Sequence, residues 1–322
     1  LATRGLGRLI ERSFTPVTAA FKADIAVAID DDTRDGCPLF CGTLIRGVKN
    51  GPSPRWLQDR LRAIGLRPIN FLVDVTNFFT YDCNRPLHVF DADKVSGGIR
   101  VHRAKGGEQI LALDGKTYTF EAGQMIISDG NGPESIAGIM GGEETGCTEG
   151  TVNVFVESAY WDPIQIAYAG RALKINSDAR YRFERGVDPA FTPKGLDMAV
   201  RMIVDHAGGE ASEMIVAGAV PETTRAYRLD AARCSSLVGM DIPADTQRSI
   251  LEALGFTIEG DMAQVPSWRP DVMGEADLVE EVARVVSLTK LEGKPLTRVE
   301  PGVPAPILTP SQRKSGAARR MS

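Results

Sequence analysis

The sequence predicts an α+β fold: a mixed, largely antiparallel-sheet domain followed by a small winged-helix-like α+β domain. Three observations carry this reading. Between 98 and 160, short apolar runs alternate with turn signals, chiefly Asp114-Gly115, as in strands joined by tight hairpins. On either side, 54–64 and 193–207 carry apolar residues at helical spacing. Beyond Pro221 the composition shifts, and the order becomes helix, helix, hairpin, helix.

In chain order, residues 1–45 read as an N-terminal connecting segment with a basic amphipathic start (Arg4, Arg8, Arg12). Apolar runs at 24–30 and 39–48 have strand character. Ser53-Pro54 opens a helix, with Ser53 as N-cap, Pro54 at the first helical position and Gly65 as the stop. Trp56, Leu57, Leu61 and Ile64 form its apolar face. The sheet domain is expected over 46–212. Its strands are 99–103, the pair 110–113 and 117–120 about Asp114-Gly115, 125–128 and 152–157. In the last, Val152, Val154 and Val156 share one face while Asn153, Phe155 and Glu157 share the other. Residues 162–186 look helical and then irregular. Pro193–Ala207 is an amphipathic helix built on Leu196, Val200 and Ile203 and closed by Gly208-Gly209.

The small domain is expected over 213–294, with helices at 229–238, 244–254 and 275–287 and a hairpin at 256–266. Residues 295–322 read as a Pro-rich, extended linker and the truncated start of a further domain, beginning with a basic helix from Ser311.

The bulk properties narrow the function. A length of 322 residues suits two or three domains, and a net charge of −5 argues against a strongly basic nucleic-acid binder while leaving room for a local basic patch. No apolar run approaches the roughly 20 residues a membrane span needs. Five scattered cysteines, an odd number, suit a reducing cytoplasm better than a disulfide scaffold. Cys37 and Cys41 lack a second pair at zinc-site spacing. The start, Leu1-Ala2-Thr3, has neither an initiator Met nor a signal-type core, and reads as the edge of an excised piece.

Five constellations could carry chemistry. Arg67, Thr76, Asn77 and His88 crowd a guanidinium, a hydroxyl, an amide and an imidazole into apolar sequence. That mixture suits a polar-ligand or ester-hydrolysing site, although a lone histidine is most often structural. Gly138, Gly141 and Gly142 form either a plain turn or one whose bare backbone a ligand can approach closely; the phosphate-loop pattern is absent. Glu157 is either an edge-strand charge or a polar anchor inside a pocket. The run from Ser177 to Gly186 interleaves arginines with aromatics, which suits a partly packed segment with ion pairs. Asp277, Glu280 and Glu281 share a helix face with Asp271 close by: an oxygen-rich cluster suited to Mg²⁺, or simply acids favoured by a helix dipole.

Taken together, these segments resemble the β subunit of bacterial phenylalanine–tRNA ligase. The matching runs are Arg67–Asn70, Asp74–Asn77, Pro86–Asp91, Gly138–Gly142, Ser177–Pro189, Pro266–Asp271 and Asp277–Arg284, in the family's order and over roughly 45–290. The resemblance implies that the sheet domain is a tRNA-editing domain that hydrolyses tyrosine wrongly attached to tRNA(Phe). It implies that Glu157 receives the tyrosine hydroxyl, and that Gly141, Ala179 and Ser177 shape the same pocket. Ser177 stands where many relatives carry Thr. Thr76, Asn77, His88 and Arg67 are implied to lie around the scissile ester and the tRNA 3′ end.

Asp271, Asp277, Glu280 and Glu281 are implied magnesium ligands, shared with the α subunit. ATP is implied for the whole α/β enzyme, a heterotetramer of two α and two β chains, and not for this piece. The family pattern breaks after Arg284. The family's N-terminal oligonucleotide-binding, synthetase-like and anticodon-binding domains are not recognised in this sequence. The alternative reading is a non-catalytic nucleic-acid-binding or subunit-scaffold piece.

Overall fold

The structure is a computed structural model that describes residues 6–7, 10, 13–291, 293, 295 and 307–321. The basic start at Arg4, Arg8 and Arg12 and most of the Pro-rich linker lie outside the described residues. The chain divides into two compact units, Leu1–Val285 and Val286–Ser322.

The first unit opens with β1 (Val27–Ile29), β2 (Leu39–Arg46), α1 (Arg55–Ala63), α2 (Phe71–Asp82), β3 (His88–Asp91) and β4 (Ile99–Arg103). The hairpin β5 (Gln109–Leu111) and β6 (Thr117–Thr119) follows, then β7 (Met125–Ser128), β8 (Pro133–Ile136), β9 (Met140–Gly141) and β10 (Asn153–Tyr160). Helices α3 (Pro163–Ala172), α4 (Asp178–Phe183) and α5 (Phe191–Ala207) lead to β11 (Glu210–Ala211) and β12 (Ile215–Gly218). The remainder is β13 (Arg225–Arg228), a π-helical turn at Cys234–Val238, α6 (Ala244–Ala253), β14 (Thr257–Glu259), β15 (Met262–Val265) and α7 (Glu275–Val286). The described part of the second unit contains α8 (Pro310–Met321).

Two five-stranded sheets form the larger body. One runs β1-β4-β7-β8-β9, with β1 parallel to β4 and the other pairs antiparallel. The other runs β11-β2-β10-β3, with β12 also on β2, all antiparallel. The second sheet is covered on both faces. Phe40, Leu44, Phe90 and Phe155 pack with Val101, Ile126 and Ile136 of the first sheet. Leu39, Cys41, Ile45, Val154 and Val156 pack under Leu57, Leu61, Leu72, Leu196 and Ile203 of the helices. The body is therefore sheet on sheet on helix, an α+β architecture. Beyond it, β13-β15-β14 make a small antiparallel sheet with α6 and α7.

Several expectations change. Residues 1–45 are not merely a connector: β2 is an interior strand, buried throughout except at Arg46, and β1 extends the other sheet. The sheet domain therefore begins upstream of residue 46. Ser53 does not cap α1. Its Oγ donates to Asp74 Oδ2 at 2.5 Å, and the helix starts at Arg55 without a side-chain cap. Trp56 and Ile64 stay substantially exposed, leaving Leu57 and Leu61 as the buried face. Val152 is also exposed and precedes β10. Strand β13 was not expected, and the helix expected at 229–238 contains the π-helical turn at Cys234–Val238.

Candidate functional site

The motif segment folds into α2 and β3. Asn70 starts α2: its side-chain oxygen accepts from the Val73 amide at 3.2 Å, satisfying one of the amides that a helix start leaves without a partner. Thr76 and Asn77 then sit mid-helix, and Thr76 Oγ1 donates to the Val73 carbonyl at 2.8 Å. After α2 the chain turns back as β3 alongside β10, placing His88 directly opposite Glu157 in antiparallel register. Opposed residues project from the same sheet face, roughly 4.5–5.5 Å apart at Cβ. That face is shared with Phe90 and Phe155, so imidazole and carboxyl both point to the core side.

Here a cavity of about 230 Å³ opens. Thr76 and Asn77 line it from α2, His88 from β3, Gly141 from β9 and Glu157 from β10. Ser177 and Ala179 line it from the start of α4. Ser177 Oγ caps α4 by accepting from the Arg180 amide at 3.0 Å, and donates to the Ile139 carbonyl at 2.7 Å. It thereby joins α4 to the glycine turn. At Gly138, φ is +67° and an added Cβ would lie 2.9 Å from the Trp161 ring, so the turn needs glycine. At Gly141 a Cβ would lie 2.2 Å from His88 Cε1, so the imidazole packs directly on bare backbone. Its other side meets Phe90 edge-on, with centroids 4.4 Å apart.

The opposed pair on the cavity wall, Glu157 and His88, is neutral at neutral pH. Burial pushes the Glu157 carboxyl up to about 8 and the His88 imidazole down to about 4. Among the described residues, no ion pair opposes either shift. Glu157 Oε2 and His88 Nε2 are both buried and have no hydrogen-bond partner among the described residues. Unpaired buried polar atoms are rare in folded proteins, and here two lie on one cavity wall, where a bound polar group could reach both.

Arg67 is the exception among the expected pocket residues. It lies exposed on the loop before α2 and does not line the cavity. Ser135, Thr80, Leu113 and Phe183 do line it, and sequence reading missed them. Thr80, one helical turn beyond Thr76, was the readable one; its Oγ1 donates to the Thr76 carbonyl.

The expected magnesium ligands are not assembled. Asp271 takes both Nε and Nη2 of Arg269, at 2.8 and 2.6 Å. Glu281 lies between Arg269, at 2.9 Å, and Arg284. Asp277 accepts from the Met273 amide at 2.7 Å, and Glu280 is exposed. Guanidinium groups already neutralise two of the four carboxylates, so the donor set does not fit a divalent cation as it stands. No group of three or more His, Cys, Asp or Glu among the described residues is placed to hold a metal.

A family model described as the B3/4 domain matches residues 36–208, and one described as the tRNA synthetase B5 domain matches 227–287. The chain belongs to the B3/4 domain family. More particularly, it is similar to phenylalanine–tRNA ligase beta subunits. It is 68% identical to that of Ruegeria pomeroyi over 320 residues, covering 99% of this chain and 40% of that one. It is 66% identical to that of Cereibacter sphaeroides and 52% identical to that of Paramagnetospirillum magneticum, over 99% of this chain and 40% and 41% of theirs. The chain thus spans about 40% of the length of these relatives. Among the described residues, no helix is long and apolar enough to cross a membrane.

Proposed function

We propose that this chain is the proofreading part of a phenylalanine–tRNA ligase β subunit and hydrolyses tyrosine esters of tRNA(Phe). The observation that carries the proposal is the opposed pair on one cavity wall, Glu157 buried and His88 half-buried, each with a buried polar atom that has no partner among the described residues. A synthetic site built for phenylalanine cannot strongly reject an isostere carrying one extra hydroxyl, so a second site must do so. Here a tyrosine ring would lie between Gly141 and Ala179, with its phenol against Glu157. Phenylalanine in the same place leaves Oε2 unpaired, a penalty of about 1–3 kcal/mol.

The ester would face Thr76, Asn77 and His88. Water attacks the carbonyl carbon, the bond to the ribose oxygen breaks, and that oxygen leaves with a proton, freeing tyrosine and the tRNA hydroxyl. The neutral His88 Nε2 is available to accept a hydrogen bond from the water and orient it. Arg67, outside the cavity, would meet the RNA strand beyond its last residue.

Pairing with an α subunit, the α₂β₂ assembly, a cytoplasmic location and a supporting role in attaching phenylalanine to tRNA(Phe) with ATP all belong to the whole ligase and are part of the same proposal. So is magnesium at Asp271, Asp277, Glu280 and Glu281, which would require a partner to draw both Arg269 and Arg284 away.

Deacylation of Tyr-tRNA(Phe) and Phe-tRNA(Phe) by the parent chain and by Glu157→Ala tests the reading. Tyrosine selectivity should fall by more than the total rate. Equal loss on both substrates removes Glu157 from recognition. No tyrosine release by the parent chain favours the silent nucleic-acid-binding or scaffold alternative.

A further inference from the structure

A second groove, of about 300 Å³, adjoins the cavity, and Ser177 and Asp178 line both. Its other walls are Asn176, Arg180, Tyr181 and Glu184. We propose that this groove holds the terminal nucleoside of a single-stranded RNA 3′ end, its base stacked on Tyr181, while the esterified amino acid occupies the cavity. The inference rests on the proofreading reading. In an aminoacyl nucleoside the amino acid and the base hang from one ribose, so their two subsites must share a wall.

Tyr181 is 57% exposed, yet it is held in place. The Arg185 guanidinium lies 3.8 Å over its ring centroid and is itself tied to the Tyr181 carbonyl and Glu184. A fixed, exposed aromatic ring backed by a guanidinium is a stacking platform for a base. The same helix, α4, carries a second tyrosine–arginine contact: Arg182 lies 4.2 Å over Tyr81, whose hydroxyl donates to Asp178 at 2.6 Å. That bond ties α2 to α4 where groove and cavity meet. Arg180 serves the groove differently. It is buried, pairs with Glu184 at 3.0 Å, and donates to Asn176 Oδ1 at 3.2 Å. The Asn176 amide is thereby oriented, which leaves its Nδ2 to donate to a base edge.

The test is binding of the trinucleotide 5′-CCA-3′ and the dinucleotide 5′-CC-3′ to the full chain by calorimetry. Tyr181→Ala should weaken the trinucleotide by about tenfold or more, and Tyr181→Phe should keep it, because stacking needs the ring and not the hydroxyl. The dinucleotide also ends in a nucleoside, so its binding should weaken in Tyr181→Ala as well. Tyr181→Ala should also raise KM for Tyr-tRNA(Phe) more than it lowers kcat. The proposal is overturned if the parent chain does not bind the trinucleotide, or if Tyr181→Ala binds it as tightly as the parent. Tyrosine release by the parent chain reports separately on the proofreading reading. Tyr181-dependent binding without tyrosine release would leave the nucleoside groove standing and remove the proofreading function.

Discussion

Glu157 and His88 show how burial alone can set the charge of a pocket. Both are driven neutral, and from opposite directions. The pH dependence of stability follows. Folded Glu157 keeps its proton up to about 8, whereas the unfolded chain releases it near the ordinary carboxyl value of 4.5. Its contribution to stability is therefore complete below 4.5 and drains away as pH rises through about 8. His88 works the other way: its contribution is complete above 6.5 and is lost as pH falls through about 4. The variant Glu157→Gln keeps the shape and removes the titration. Its unfolding free energy, measured by denaturant melts, should gain on the parent's steadily between about pH 5 and 8 and level off above that, at a slope of at most about 1.4 kcal/mol per pH unit. The His88 contribution is common to both chains and cancels. A difference that stays flat with pH would show that the Glu157 carboxyl is already ionised in the folded chain at low pH.

At the scale of elements, the site exists because the β3–β10 register sets His88 against Glu157 and the β9 backbone leaves room beside them. Replacing Gly141 with Ala puts a methyl where the imidazole lies, 2.2 Å from Cε1, so His88 must move. Overpacking of this kind costs about 1–3 kcal/mol. Hydrolysis of Tyr-tRNA(Phe) by Gly141→Ala should fall at least about tenfold, a loss of more than about 1.4 kcal/mol of transition-state stabilisation, while the chain remains folded. Undiminished hydrolysis would exclude His88 from the reaction.

Parts of this arrangement were legible in the sequence. The hairpin at Asp114-Gly115, β7 and α5 announce themselves by turn chemistry and periodicity. Others were hidden for physical reasons. Covered on both faces, β2 reads as an unbroken apolar run, which reveals a strand but not the body it belongs to. Most of α2 is apolar or buried, so it shows little amphipathic stripe. The carboxylates near α7 carry the spacing of a cation site. Only the fold shows Arg269 reaching two of them.

At the scale of the molecule, the B3/4 and B5 portions lie in one compact unit, and one point of contact links them closely. Helix α4, which lines the pocket, ends three residues before Gly186, and Gly186 packs on Pro270 of the B5 portion. There φ is +89°, and an added Cβ would lie 2.9 Å from both Pro270 Cβ and Cγ. The loop carrying Pro270 is itself fixed, because Arg225 donates to the carbonyls of Arg269, Pro270 and Val272. Neither side can yield cheaply. Gly186→Ala should therefore cost about 1–2 kcal/mol in backbone strain alone, with the steric overlap added. The pocket residues lie on one side of this contact, so the damage should fall on the joint and not on the chemistry. Calorimetry of Gly186→Ala should show the B5 portion melting ahead of the B3/4 portion, with tyrosine release at low temperature close to the parent's. If release were lost together with the joint, the pocket would depend on the B5 portion for its shape, and proofreading would be a property of the whole unit.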